Sequence, residues 1–289
     1  MDGFISVNKP KGITSFDIIR ILRKTLKMKA IGHAGTLDPL ATGVMVIAIG
    51  GATKLLQYIE AEFKEYAATL ELGFETDTLD SEGEVIKRAE IPLLLDATVR
   101  EILSEFLGKS TQIPPMYSAI KINGQKLYEL ARQNIMVERK PRAIEIFGIS
   151  LVSIEESRIV FSSKVSKGTY IRTLCSDVAV KLGSVGTMVD LERTAIGSST
   201  LAKSVTLEEI ERLASKQDYS FVTSVEEKFK ALEVIELSEK YYHWFLNGRP
   251  IERIGDSDLI ALNYQGEFIG LGTVEKGVII RKYVKECHA

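Results

Sequence analysis

The sequence predicts an α+β fold: a mixed, largely antiparallel sheet flanked by helices, followed by a small C-terminal all-β domain. Three observations carry this expectation. Apolar-polar alternation recurs in neighbouring runs, as in "AIEIFGISLVSI" and "RIVFSSKVSKG", which is the pattern of antiparallel strands in meander order. Helical periodicity appears between strands but not after each one, so a doubly wound parallel sheet is not indicated. From about Leu232 the texture changes to β-formers broken by turns at short intervals, in "DLIALNYQGEFIGLGTVEKGVIIRKYV". At 289 residues and 45% hydrophobic content, the chain is long enough for one large cored domain with a small one appended.

The elements follow in order. After "KPKGITS", the spacing of Ile18, Ile19, Leu22 and Leu26 predicts a helix, with Thr14 or Ser15 as its cap. "VMVIAIGG" from Val44 is a continuous apolar run of strand length, and "TKLLQYIEA" reads as a short helix. "KEYAATLELG" alternates as a strand, "TDTLDSEGE" is a polar turn, and "DATVREILSEFLGK" is an amphipathic helix capped by Asp96. "IPPMYSAIKINGQKLYELARQ", with an Asn123-Gly124 hairpin signal and a short basic helix, continues into "NIMVERKPR" as an excursion from the main sheet. "TLCSDVAVKLG" is a helix closed by Gly183. "ASKQDYSFVTSVEEKF" is the expected linker, which divides the chain into residues 1–230 and 231–289.

Composition excludes several classes. No apolar stretch reaches the roughly 20 residues needed to span a bilayer, and the N-terminus lacks the layout of a secretion signal, so no membrane association and a cytoplasmic location are expected. Cys175 and Cys287 lie far apart, and His33, His243 and His288 assemble no metal-ligand spacing, so neither disulfide nor metal is implied. "GGATK" and "GLGTVEKG" fail as phosphate loops, so no nucleotide cofactor is indicated, and no Ser-His-Asp or Cys-His set can be assembled. The net charge of −2 hides two basic clusters. Residues 9–30 carry seven Lys or Arg against Asp17 alone, and residues 121–142 carry six against Glu129 and Glu138. A single run of this kind is usually a solvated face, but two in a nearly neutral chain point to a polyanion.

One loop attracts attention. "GHAGTLDPLATG", residues 32–43, sets Asp38 among three glycines immediately before the apolar run. An Asp before Pro in such a loop is most often turn chemistry, and composition alone does not make it catalytic. Position supports the alternative: Gly32, Gly35 and Gly43 permit close approach of a bulky ligand, while Leu37 and Leu40 make the surroundings apolar. A carboxylate there needs a cation to stay ionised, and Arg172 in "KGTYIRTLCSD" is the best candidate.

These segments carry a resemblance. "VNKPKGITSFD", "GHAGTLDPLATGVMVIAIGGATK", "KEYAATLELGFETDTLDSEG", "IPPMYSAIKINGQKLYELAR" and "SKGTYIRTLCSDVAVKLG" occur in the order and spacing of the bacterial tRNA pseudouridine-55 synthases, the TruB family. The resemblance runs from about Gly3 to Leu201, and the C-terminal stretch is more weakly similar to that family's small RNA-binding PUA domain. Asn134 and Glu192 depart from the family pattern, at the hinge of the mobile thumb loop and at one phosphate contact.

The resemblance implies a pseudouridine synthase fold with a thumb-like insertion at about 115–142. It also implies isomerisation of a uridine in the T-loop of tRNA without cofactor or metal, by a monomer needing no protein partner. It makes Asp38 the catalytic carboxylate, acting as nucleophile or as base at C2′, with Arg172 keeping it ionised. It makes Tyr66 the ring on which the flipped uracil stacks, with a phenol placed for late removal of the C5 proton. His33 fills space vacated by flipped nucleotides, and Tyr170 and Leu191 line the pocket. For Tyr170 and Arg172 to share a face the chain must still be extended there, so the helix is expected to begin at about Thr173. Lys9 and the helix bearing Arg20, Arg23 and Lys24 are expected to contact tRNA phosphates, as is the 121–142 excursion. The competing readings are a tRNA-folding chaperone without chemistry and a guide-dependent relative acting on ribosomal RNA.

Overall fold

The computed structural model describes every residue except 119, 123, 134, 254 and 286–289. Asn123, Asn134, Cys287 and His288, which the sequence singles out, therefore lie outside the described residues.

The chain opens with β1 (Gly3–Lys9), α1 (Ser15–Leu26), β2 (Ile31–Ala34), β3 (Thr42–Ile49), α2 (Leu56–Ala61) and β4 (Lys64–Leu72). A hairpin of β5 (Phe74–Thr76) and β6 (Val85–Arg88) leads to α3 (Asp96–Ser104) and β7 (Gly108–Gln112). A second hairpin, β8 (Lys121–Ile122) and β9 (Gln125–Lys126), with α4 (Leu127–Ala131), precedes the long pair β10 (Arg142–Glu155) and β11 (Arg158–Val165). Then come α5 (Ile171–Lys181), β12 (Gly186–Ile196), β13 (Ser199–Thr200), α6 (Leu207–Ser215) and α7 (Val225–Lys228).

The main sheet runs β1-β3-β12-β4-β11-β10-β7, with β2 added to β3 and β13 to β12. Its ladders are antiparallel except β12 on β3, where Glu192 faces Thr42 and Arg193 faces Gly43. Residues 113–141 leave the sheet at Gln112 and return at Arg142, which are register partners, so the excursion is an insertion in one antiparallel connection.

The apolar run of β3 is explained by burial on both faces. Met45, Ile47 and Ile49 pack with Ile18, Ile19, Leu22 and Leu26 of α1 and with Leu207 and Ile210 of α6. Val44, Val46 and Ala48 pack on the other side with Leu55 and Ile59 and with Leu259, Phe268 and Leu271. Those last residues belong to the C-terminal sheet, β14 (Val234–Glu236), β15 (Ile251–Glu252), β16 (Ser257–Tyr264), β17 (Glu267–Glu275) and β18 (Val278–Val284), in the order β14-β16-β17-β18-β15. Among the described residues of this part, one helix, α8 (Glu239–Leu246), accompanies the strands; its Phe245 is buried in the cluster that holds Ile260 and Leu262.

Local chemistry sets the boundaries, and three of them differ from expectation. Thr14 caps α1 in a full capping box: Asp17 N donates to Thr14 Oγ1 at 3.1 Å, and Thr14 N donates to Asp17 Oδ2 at 2.9 Å. Gly183, at φ +81°, closes α5 with the paired bonds Gly183 N to Val180 O and Ser184 N to Ala179 O. The start of α5 is at Ile171, not Thr173, because Gln112 grips Tyr170 on both sides: its Oε1 accepts from Tyr170 N at 2.8 Å and its Nε2 donates to Tyr170 O at 3.1 Å. That fixes Tyr170 as the extended residue before the helix. Asp96 does not cap α3; it is the first helical residue and pairs with Arg100, while Leu95 occupies the cap. The expected linker is not loose chain either, since Thr223 exchanges backbone hydrogen bonds with Phe4 and Val225 and Phe229 enter the core.

Candidate active site

The loop between β2 and β3 carries Asp38, and most of its carbonyls have no strand partner. Buried carbonyls need donors, and three side chains from distant segments supply them. Lys9, fully buried, donates from Nζ to Pro10 O (3.0 Å), Pro39 O (3.2 Å) and Ala41 O (2.7 Å). Arg193, also buried, donates from Nε to Val44 O at 2.7 Å and from Nη1 and Nη2 to Thr36 O and Gly35 O at 3.4 and 3.3 Å. Ser15 Oγ accepts from Leu37 N at 2.9 Å and donates to Leu37 O at 3.0 Å. The loop is thus a rigid shelf. Gly43, at φ +100°, ends it where β12 crosses so closely that a Cβ would stand 2.3 Å from Arg193 O.

On that shelf Asp38 meets Arg172, the second residue of α5. Arg172 Nε lies 3.0 Å from Asp38 Oδ2, with the arginine side chain 6% exposed and the aspartate side chain 33% exposed. A second carboxylate completes the seat: Arg172 Nη1 lies 3.1 Å from the buried Asp80 Oδ2 and donates to Thr78 O at 2.9 Å. Asp80 is itself fixed, its Oδ1 accepting from Thr78 Oγ1 (2.7 Å) and Glu82 N (3.1 Å). Burial pushes the Asp38 carboxyl above its usual range; Arg172, Lys9 and Arg193 pull it back, while Asp80 adds to the rise. The arginine therefore opposes the cost of burial without cancelling it, which corrects the expectation that it alone keeps the carboxylate ionised.

The remaining residues named from sequence divide into two groups. Tyr66 and Leu191 share a core cluster with Leu37, Leu40 and Ala41 of the loop that carries Asp38. Tyr66 and Ala68 alternate onto the buried face of β4, and Leu191, opposite Ala68 on β12, shares it. Both belong to the cluster that includes Leu37 and Leu40, so the carboxylate has an apolar wall beside it. Tyr170 precedes Arg172 at the start of α5, half-buried, and burial pushes its phenol up. The others are outside that cluster. His33 sits on β2, its Nδ1 buried without a partner, and burial with the nearby Arg193 lowers its pKa, so the ring is neutral at pH 7. Arg20 projects from α1 with its side chain 74% exposed and pairs with Asp17. Lys9 corrects the expectation of a phosphate contact, because its ammonium is enclosed beneath the loop with carbonyls on it, and burial lowers its pKa to about 8.

Two residues of the site escaped the sequence reading. Asp80 lay in a turn rich in carboxylates, and Arg193 stood beside residues already named; its alternation with Leu191 on one strand was the available signal.

Comparison with known proteins accords with this architecture. Residues 23–171 match the model of the TruB family pseudouridylate synthase N-terminal domain, and residues 172–233 match that of the tRNA pseudouridylate synthase B C-terminal domain. In fold and in family match the chain is a pseudouridylate synthase. It is 42% identical over 282 residues to tRNA pseudouridine synthase B of Clostridium tetani, covering 96% of each chain. It is 42% identical over 285 residues to that of Fusobacterium nucleatum, covering 98% of this chain and 99% of the other. The chain belongs to the TruB family of tRNA pseudouridine synthases, isomerases acting on tRNA. Its fold is also that of a crystal structure of a Cbf5-Nop10-Gar1 complex, at TM-score 0.73 and 23% identity, covering 98% of this chain and 84% of that one. A structure of an H/ACA RNP bound to a substrate RNA containing 2'-deoxyuridine matches at TM-score 0.71 and 21% identity, covering 99% and 85%.

Proposed function

We propose that this enzyme isomerises the uridine at position 55, in the T-loop of tRNA, and that Asp38 performs the chemistry. The reaction breaks the bond between C1′ and N1, turns the detached uracil, and joins C5 to C1′; N1 ends with a proton and C5 loses one. A carboxylate on the sugar face can meet the positive character that develops at C1′, as nucleophile or as base at C2′. The observation that supports this reading is the ion pair of Asp38 with the buried Arg172, held on a rigid loop beside an apolar wall and still one-third open.

The target base is stacked in folded RNA, so it must leave the stack to reach Asp38. Tyr66 and Leu191 are the apolar surfaces that receive it, and Tyr170 borders the same place. His33, neutral and carrying an unsatisfied ring nitrogen, is suited to hydrogen-bonding in the gap that eversion leaves. Arg20 and its neighbours on α1, with the 121–142 segment, serve phosphates, which sets register and affinity but not base identity. The C-terminal part, residues 231–289, acts as a PUA-like RNA-binding domain, and the enzyme works in the cytoplasm as a monomer.

The test is to incubate the purified chain, without other proteins, with an unmodified tRNA transcript and to map carbodiimide-reactive pseudouridine. One product at position 55 is the expected result. Modification elsewhere, or only in the presence of a guide RNA, overturns the reading.

A further inference from the structure

Arg172 makes one more contact, and it reaches the insertion that leaves the sheet. Its Nη2 donates to the carbonyl of Tyr117 at 2.8 Å. The Tyr117 phenol in turn donates to Asp77 Oδ2 at 3.1 Å. Asp77 is held by the turn that presents Asp80, because its Oδ1 accepts from Glu84 N at 2.9 Å and its own N–H donates to Glu84 O at 3.1 Å. The contacts close a ring running from Arg172 to Asp80, through the 77–84 turn to Asp77, to Tyr117, and back to Arg172.

Resting on the reading of Asp38 as the reacting carboxylate, we propose that Tyr117 is a positioning residue: its phenol, anchored on Asp77, fixes the carbonyl that seats the Arg172 guanidinium against Asp38. The segment 113–141 must then be docked for the carboxylate to be correctly placed. That segment has the means to move as a unit, since Met116, Leu127, Leu130 and Ala131 form a small cluster of their own with Tyr117 packed on it. Burial and the bond to Asp77 both keep the phenol protonated, so it stays a donor through neutral pH. The ring thus ties the state of the insertion to the geometry of Asp38 through one side chain.

The experiment is Tyr117→Phe, which keeps the ring and deletes one hydroxyl. The single-turnover rate at saturating enzyme is expected to fall by about tenfold, the scale of one lost hydrogen bond to a charged group, with RNA affinity within about twofold. The acid limb of its pH profile moves to higher pH. The charged groups facing Asp38 are Arg172 from α5, Asp80 from the turn, Lys9 from β1 and Arg193 from β12, and only the first is loosened by the substitution. A wild-type rate with an unmoved acid limb overturns the proposal, as does a change confined to RNA affinity. Asp38→Asn is measured beside it: activity in that variant defeats the reading of Asp38 itself, whereas an inactive Asp38→Asn with a wild-type Tyr117→Phe defeats only the role of Tyr117.

Discussion

Asp38 is an acid whose surroundings favour the proton. Its folded-state pKa is raised, so the folded chain holds that proton to higher pH than the unfolded chain does. Stability is therefore lost, not gained, as pH climbs from the ordinary carboxylate range through the raised value, and at neutral pH the ionised group is a net burden on the fold. Asp38→Asn should accordingly melt at or above the wild-type temperature at pH 7 by calorimetry; a marked drop would mean that Arg172 repays more than the burial costs. By the same displacement, the single-turnover rate should decline on acidification at a pH above the usual range for an aspartate. Lys9 makes a second residue-scale test because it is basic yet enclosed. Lys9→Met deletes three hydrogen bonds to carbonyls, of which Pro39 O keeps a second donor in Gly12 N; stability should fall by ~2 kcal/mol in urea unfolding, with the salt dependence of tRNA binding unchanged. Arg20→Ala, at an exposed position, should do the reverse: unaltered stability, and a slope of log K against log salt reduced by about 0.7–0.9.

Among the elements, the parallel contact of β12 with β3 sets the geometry of the loop, and Gly43 is its narrowest point. Gly43→Ala would combine a left-handed backbone with a methyl group driven into Arg193, so a loss of at least ~2 kcal/mol is expected from thermal or urea unfolding, with activity falling as the Arg193 bonds to the loop part. A neutral substitution would show that β12 can yield. The elements also mark what sequence could and could not disclose. α1 was legible from four apolar residues at helical spacing, with its cap narrowed to Thr14 or Ser15; the reciprocal bonds with Asp17 that select Thr14 appear only in the structure. β3 was legible because burial on both faces leaves an uninterrupted apolar run. The start of α5 was not, since the amide that fixes Tyr170 belongs to Gln112 on another strand. Of the site, Arg172 was readable as the best candidate partner for an acid in a glycine-rich loop, but Asp80 resembled ordinary turn chemistry, Arg193 showed only as an alternation with Leu191, and the main-chain carbonyls that Lys9 serves leave no mark in the side-chain pattern.

For the molecule as a whole, the two sheets are joined by a shared core. Phe4, Val44, Val46 and Ala48 of the large sheet are buried in the same cluster as Leu259, Ala261, Phe268 and Leu271 of the small one. Removing residues 231–289 would bare the reverse side of β3, the strand that follows the Asp38 loop, so the shortened chain should melt lower and bind a hydrophobic dye; a truncated chain with wild-type melting would show that the core closes without them. The central claim concerns the reaction that this frame supports, namely that the Asp38 carboxylate, seated by Arg172, performs the exchange at C1′. The most direct measurement is the product yield of Asp38→Asn with unmodified tRNA at enzyme excess, alongside its tRNA affinity. Binding close to wild type with no pseudouridine formed is the predicted result, and pseudouridine formed at the wild-type rate would contradict the claim.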